Sequence, residues 1–161
     1  MIRINTADIG PDGLEVNGAE NAAFLELDTA GGFPCEVLGD VQYRLHASLA
    51  GSDLLVTGSA KVRIKSQCAF CLKDLTLDVG SDEICIFREK VPEEIVDITE
   101  DIREDILLAV PDRFKCSESC RGLCPGCGAD LNTESCRCKK KKRKQSFGED
   151  HTWDALSGLK F

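Results

Sequence analysis

Residues 41–64 read VQYRLHASLAGSDLLVTGSAKVRI. Val41, Tyr43, Leu45, Ala47 and Leu49 alternate with polar residues, and Leu54, Val56, Val62 and Ile64 resume the apolar run beyond Gly51-Ser52. Successive side chains of a strand point to opposite faces, so a period of two predicts paired strands with one apolar face. Gly51 and Ser52 fall where a two-residue hairpin loop would sit. Downstream, Leu75, Leu77 and Val79, then Ile84 and Ile86, predict two further strands. Cys85, inside the last apolar run, is expected in the core, because a free thiol buries readily. The body is therefore expected to be a small antiparallel sheet.

The period changes at Thr99. Glu100 and Asp101 follow it, then Ile102, Ile106, Ala109 and Val110 at helical spacing, and Pro111 closes the run. This pattern predicts one amphipathic helix over about 99–110, capped by Thr99, with acidic residues at the positive end of its dipole. Asp101, Glu104 and Asp105 make an acidic outer face without a histidine, nucleophile or Gly-rich loop beside it, and read as solvated surface rather than as catalytic carboxylates. The expected class is α+β, with one helix packed on the sheet in a body over residues 35–112. Residues 1–34 carry only the short apolar patches Leu14/Val16 and Phe24/Leu25/Leu27, which could add edge strands.

The 161 residues are 42% hydrophobic and 30% charged, a globular composition that excludes a large multidomain enzyme and a wholly disordered chain. The formal charge of -8 conceals a split. Residues 1–112 hold 9 Lys and Arg against 22 Asp and Glu, a net of -13, and residues 113–161 hold 11 against 6, a net of +5. An acidic body with a basic appendage lets only the appendage approach a polyanion. The longest apolar run is Ile106–Val110, far short of the roughly 20 residues that span a bilayer. With no apolar core for a signal peptide near Met1, the expectation is a cytoplasmic protein without a membrane partner, whose ten cysteines stay reduced and whose clustered cysteines point to metal.

Eight of those cysteines are grouped: Cys68 and Cys71, then Cys116, Cys120, Cys124 and Cys127, then Cys136 and Cys138. Zinc takes four thiolates tetrahedrally, and a C-x2-C turn aims two sulfurs at one ion. Cys124-Pro125-Gly126-Cys127-Gly128 is the sharpest such turn, since glycine permits the tight backbone of a zinc knuckle. Loop length favours closing Cys124/Cys127 with Cys136/Cys138, leaving Cys68/Cys71 to meet Cys116/Cys120. The alternative joins Cys68/Cys71 to Cys124/Cys127. Either way a zinc-knuckle module over 113–138 with one or two structural Zn2+ sites is expected. A thioredoxin-like motif needs a helix after Cys71, where the chain reads as strand, and an iron–sulfur cluster lacks a redox partner motif here.

Arg137, Lys139, Lys140, Lys141, Lys142, Arg143 and Lys144 form a basic run around Cys138. Such a run is a candidate nucleic-acid contact through phosphate attraction, and it also offsets the negative charge of a four-thiolate zinc centre. With 139–146 as a basic linker, residues 147–161 place Trp153, Leu156 and Leu159 at helical spacing and predict a terminal amphipathic helix. His46 and His151 stand apart from any cluster.

The order of these motifs resembles a known family. Gly58 to Leu72 with its Cys68-Ala-Phe-Cys71, Ile95 to Pro111, Cys116 to Asn132, and the closing Trp153 to Leu159 resemble the YceD-like family of large ribosomal RNA subunit accumulation proteins. The resemblance covers about Val37 to Leu159. It implies a non-enzymatic ribosome-biogenesis factor, zinc at the matching cysteines, and large-subunit ribosomal RNA or a pre-ribosomal particle as partner. The acidic body adds basic ribosomal proteins as a further expected partner. The competing readings are a thiol-redox or metal-transfer protein using Cys68/Cys71, and a zinc-ribbon accessory of transcription.

Overall fold

The computed structural model describes residues 1–30, 32–91, 95–136 and 138. In chain order the described elements are β1 (Arg3–Asn5), β2 (Leu14–Asn21), β3 (Thr29–Ala30), β4 (Phe33–Pro34), β5 (Glu36–Val37), β6 (Asp40–Ala50), β7 (Asp53–Gln67), β8 (Asp74–Arg88), β9 (Ile95–Asp97) and α1 (Thr99–Ala109). The main sheet sets β2, β6, β7 and β8 side by side, all antiparallel, and β5 pairs the edge of β7 beyond the end of β6. The mostly β architecture with one helix fits the α+β expectation. β6 and β7 form the hairpin closed by Gly51-Ser52, with Ala50 opposite Asp53.

Alternation places Val41, Leu45 and Ala47 of β6 and Leu54, Val56, Val62 and Ile64 of β7 on one buried face. The two strands expected over Leu75–Val79 and Ile84–Ile86 are instead a single strand of 15 residues, β8. Its register against β7 slips between Gly58 and Ala60, so inward positions are odd up to Val79 and even from Ile84. A bulge of this kind adds one residue and returns both runs to the same face, whereas periodicity alone sees a break. The same alternation corrects the reading of Cys85. Between buried Ile84 and Ile86 it points to the opposite face and is exposed.

α1 lies against β8 and buries Ile102 and Ile106. Its start differs from the expected Thr99 cap. Ile98 occupies the cap position and makes no side-chain cap bond. The Asp97 carboxylate accepts the Thr99 N–H (2.9 Å) and hydroxyl (2.5 Å), which frees Thr99 Oγ1 to accept the Ile2 N–H at 2.8 Å. β1 pairs with β9 and brings Ile2 and Ile4 into the same core. At the N-terminal end, Leu14 and Val16 lie on edge strand β2, and Leu25 is buried in a 3-10 turn over Ala22–Leu25. Phe114, 1% exposed, is where the chain leaves this core for the cysteine-rich segment. Among the described residues no helix is long and apolar enough to cross a membrane.

Candidate metal centres

β7 and β8 stay paired as far as Gln67 opposite Asp74, so Cys68–Lys73 must reverse the chain. The turn closes with two backbone bonds: Cys68 N–H donates to Lys73 O at 2.9 Å, and Leu72 N–H to Cys68 O at 2.8 Å. Leu72 pays for this with a left-handed backbone, φ 59°, which a bulky side chain rarely adopts. After α1 the chain returns, and Ala69 N–H donates to Phe114 O at 2.9 Å. That contact sets Cys116 and Cys120 opposite the turn. The sulfurs of Cys68, Cys71, Cys116 and Cys120 then all lie within 4.8 Å of one another, with Cys68–Cys120 at 3.9 Å and Cys71–Cys116 at 3.6 Å.

A second turn repeats the first. Cys124 N–H donates to Ala129 O and Gly128 N–H to Cys124 O, both at 2.8 Å. The left-handed position, φ 74°, is here Gly128, which carries no side chain to strain. Cys124, Cys127, Cys136 and Cys138 bring their sulfurs within 4.8 Å of one another, with Cys127–Cys136 at 3.8 Å and Cys124–Cys136 at 3.1 Å. These are the two groups that loop length favours, not the cross-pairing of Cys68/Cys71 with Cys124/Cys127.

Four sulfurs about 2.3 Å from one tetrahedral ion stand about 3.8 Å apart. Cys68–Cys120, Cys71–Cys116 and Cys127–Cys136 lie near that spacing, and Cys124–Cys136 is closer. Both clusters could therefore hold a metal ion with all four positions filled by thiolate. Backbone amides prepare the sulfurs for charge: Cys116 N–H donates to Cys68 Sγ (3.4 Å), Gly126 N–H to Cys124 Sγ (3.4 Å) and Cys138 N–H to Cys136 Sγ (3.3 Å). Burial raises the Cys68 thiol, but the amides of Cys71, Phe70 and Cys116 outweigh it and bring the group down to about 6. Cys124 is also brought to about 6, first by the Cys136 thiol and then by the Gly126 and Cys127 amides. Other thiols carry the opposing cost, with Cys116 pushed up to about 12 by Cys120 and Cys138 to about 12 by Cys127. A cation among the sulfurs would offset the cost of ionising the raised thiols.

The two clusters are joined by groups that the sequence reading passed over. Leu123 N–H donates to Phe70 O at 2.8 Å, which lays the second turn against the first. Gly122 makes this approach possible, since at φ 69° a Cβ there would lie 2.8 Å from the Phe70 carbonyl oxygen. Lys73 pairs with Asp130 at 2.7 Å, and that partner holds the Asp130 carboxyl down at about 2. Asn132 Oδ1 accepts the Arg121 N–H at 2.8 Å, and its Nδ2 donates to Asp130 (2.7 Å) and to Cys120 Sγ (3.6 Å). The Asp130-Leu-Asn132 spacing is turn chemistry that could have drawn notice, because short polar side chains there bond to nearby backbone.

Of the expected site residues, all eight cysteines fall into these clusters. Arg137, Lys139, Lys140, Lys141, Lys142, Arg143 and Lys144 lie outside the described residues, as do the terminal helix expected over 147–161 and His151. His46 is on the sheet surface, its Nδ1 2.8 Å from Glu15 Oε1.

The model of a family described as large ribosomal RNA subunit accumulation protein YceD matches residues 87–160. A chloroplastic large ribosomal RNA subunit accumulation protein YCED homolog 1 of Zea mays is 38% identical over 72 residues, covering 44% of this chain and 24% of its own. Its Arabidopsis thaliana counterpart is 32% identical over 53 residues, 33% of this chain and 16% of its own. An uncharacterized protein of Mycobacterium tuberculosis is 27% identical over 137 residues, 76% of this chain and 58% of its own. The chain thus spans from about a sixth to under two thirds of these relatives' lengths. No solved structure matches it. These matches bear out the YceD-like resemblance carried by the motif order.

Proposed function

We propose that this chain, YceD-like by the match over residues 87–160, is a non-enzymatic factor supporting accumulation or processing of large-subunit ribosomal RNA in the cytoplasm, with zinc as a structural staple at both clusters. The observation carrying the reading is the pair of four-cysteine clusters, six of whose eight cysteines lie within the matched residues 87–160. An all-thiolate set of four leaves no coordination position for water or substrate, so zinc held there organises the chain instead of performing chemistry. The first cluster ties the β7–β8 turn to the segment after α1, and the second orders the stretch that leads into the basic run. That run would meet RNA phosphates, while the acidic body would engage basic ribosomal proteins of a precursor particle.

The thiol-redox and metal-transfer readings need an accessible, acidic thiol. The two most acidic thiols, Cys68 and Cys124, are 0% and 8% exposed, which favours the staple. Crosslinking the tagged protein to RNA in living cells tests the proposal. Enrichment of large-subunit ribosomal RNA is expected, and co-purification with RNA polymerase without that enrichment would instead support a transcription accessory. Neutralising Lys139–Lys144 is expected to reduce recovery.

A further inference from the structure

The tip of the first turn exposes two apolar side chains, Phe70 at 43% and Leu72 at 51%. Neither exposure follows from closing the turn. The second turn makes the same two backbone bonds with glycine at the left-handed position, whereas the first holds leucine there at φ 59°. A strained residue whose side chain is left in solvent points to a use outside the fold. Phe70 is also held in place. Its carbonyl accepts the Leu123 N–H, and the preceding residue, Ala69, is tied to Phe114 O, so the ring projects from a backbone fixed on both sides.

The surrounding charge identifies the partner. Lys115 Nζ lies 5.6 Å from the centre of the Phe70 ring. On the sheet, basic side chains are answered by carboxylates, as in Lys61–Asp82 and Arg63–Asp78. Arg113, Lys115 and Arg121 make no ion pair among the described residues. An aromatic ring on fixed backbone, beside a cation that no carboxylate answers, is how proteins hold unstacked bases of a single strand, the base on the ring and the phosphate on the cation. Lys115 stands over one face of the ring, so a base would stack on the other.

We infer that the tip of the first turn is a single-stranded RNA contact: Phe70 stacks a base, Leu72 flanks it, and Lys115 and Arg121 meet the adjoining phosphates. This rests on the ribosomal-RNA reading above and moves part of the contact from the lysine run to the first metal turn.

The test uses the full, metal-loaded chain and a single-stranded RNA oligonucleotide carrying 2-aminopurine, whose fluorescence falls when it stacks. Wild type is expected to quench it. Phe70→Ala should weaken binding roughly tenfold and remove the quench, the scale of one lost stacking contact. Phe70→Trp should retain both. Phe70→Leu keeps the apolar bulk and serves if the alanine variant does not fold; it too should lose the quench. Leu72→Gly should weaken binding with no fall in melting temperature. Unchanged affinity and quench in Phe70→Ala or Phe70→Leu would overturn the inference, as would loss of captured proteins with RNA affinity intact, which would make the tip a protein contact. Crosslinking in cells separates the two claims. Equal ribosomal-RNA recovery by wild type and Phe70→Ala would sink the inference and leave the function standing, whereas no recovery by wild type would remove both.

Discussion

The turns at residues 68–73 and 124–129 share a length, a pair of backbone bonds and a left-handed fifth position, but they are set in different surroundings. The first grows out of the longest strand pair of the sheet, and its two cysteines are 0% and 5% exposed. The second is flanked by loop on both sides, and Cys127 is exposed. The sulfur-bearing backbone therefore does not need the sheet in order to form. What the sheet adds is burial and a lever: a metal in the first cluster closes a loop containing β8 and α1, whereas one in the second closes a short loop inside the module.

That difference should govern what each metal stabilises. Cys71→Ser removes a clamp across the 44 residues between Cys71 and Cys116. Chain entropy gives such a clamp about 4 kcal/mol. In a domain of this size the melting temperature should fall by roughly 10 °C. Cys127→Ser should lose one metal equivalent with a much smaller shift, readable by calorimetry beside metal analysis; equal shifts would break the comparison.

Acid should act on both clusters in the same direction. Zinc needs four thiolates, and Cys116 and Cys138 hold their protons most tightly, so loading must release protons and affinity must fall as pH is lowered from 8 to 6. Competition with a chromophoric chelator across that range measures it. A flat profile would contradict four-thiolate ligation.

The fifth position offers a smaller, cleaner contrast. A Cβ on Gly128 would meet nothing within 4 Å, so Gly128→Ala isolates backbone strain and should cost about 1 kcal/mol. Leu72→Gly should not destabilise the first turn through its backbone geometry, since it relieves the left-handed leucine there. Smallest is the bridge between the turns. Lys73 is 53% exposed and Asp130 18%, so a Lys73→Met, Asp130→Asn double-mutant cycle should return the smallest coupling of these variants.

Much of this molecule is legible in its sequence for a physical reason. Period-two runs such as Val41 to Leu49 and Leu54 to Ile64 report burial directly, and cysteine spacing limits which sulfurs can converge. What stayed hidden depends on partners distant in the chain. The bulge that makes β8 one strand exists only in register with Gly58 and Ala60, whereas the exposure of Cys85 follows from alternation between Ile84 and Ile86. The cap position fell to Ile98 instead of Thr99, whose hydroxyl serves the Ile2 N–H from the far end of the chain. Leu72 carries no turn signal, since the fifth position of the first turn is leucine where the second turn has glycine. The joining of the clusters through Phe70, Lys73, Asp130 and Asn132 likewise needed both turns side by side.

X-ray absorption at the zinc edge on the purified full-length chain, with metal stoichiometry from the same sample, tests the central claim most directly. Two closed staples are expected to give two zinc ions per chain and a first shell of four sulfurs near 2.3 Å. A shell containing oxygen or nitrogen, or fewer than two ions on a fully loaded chain, would contradict it.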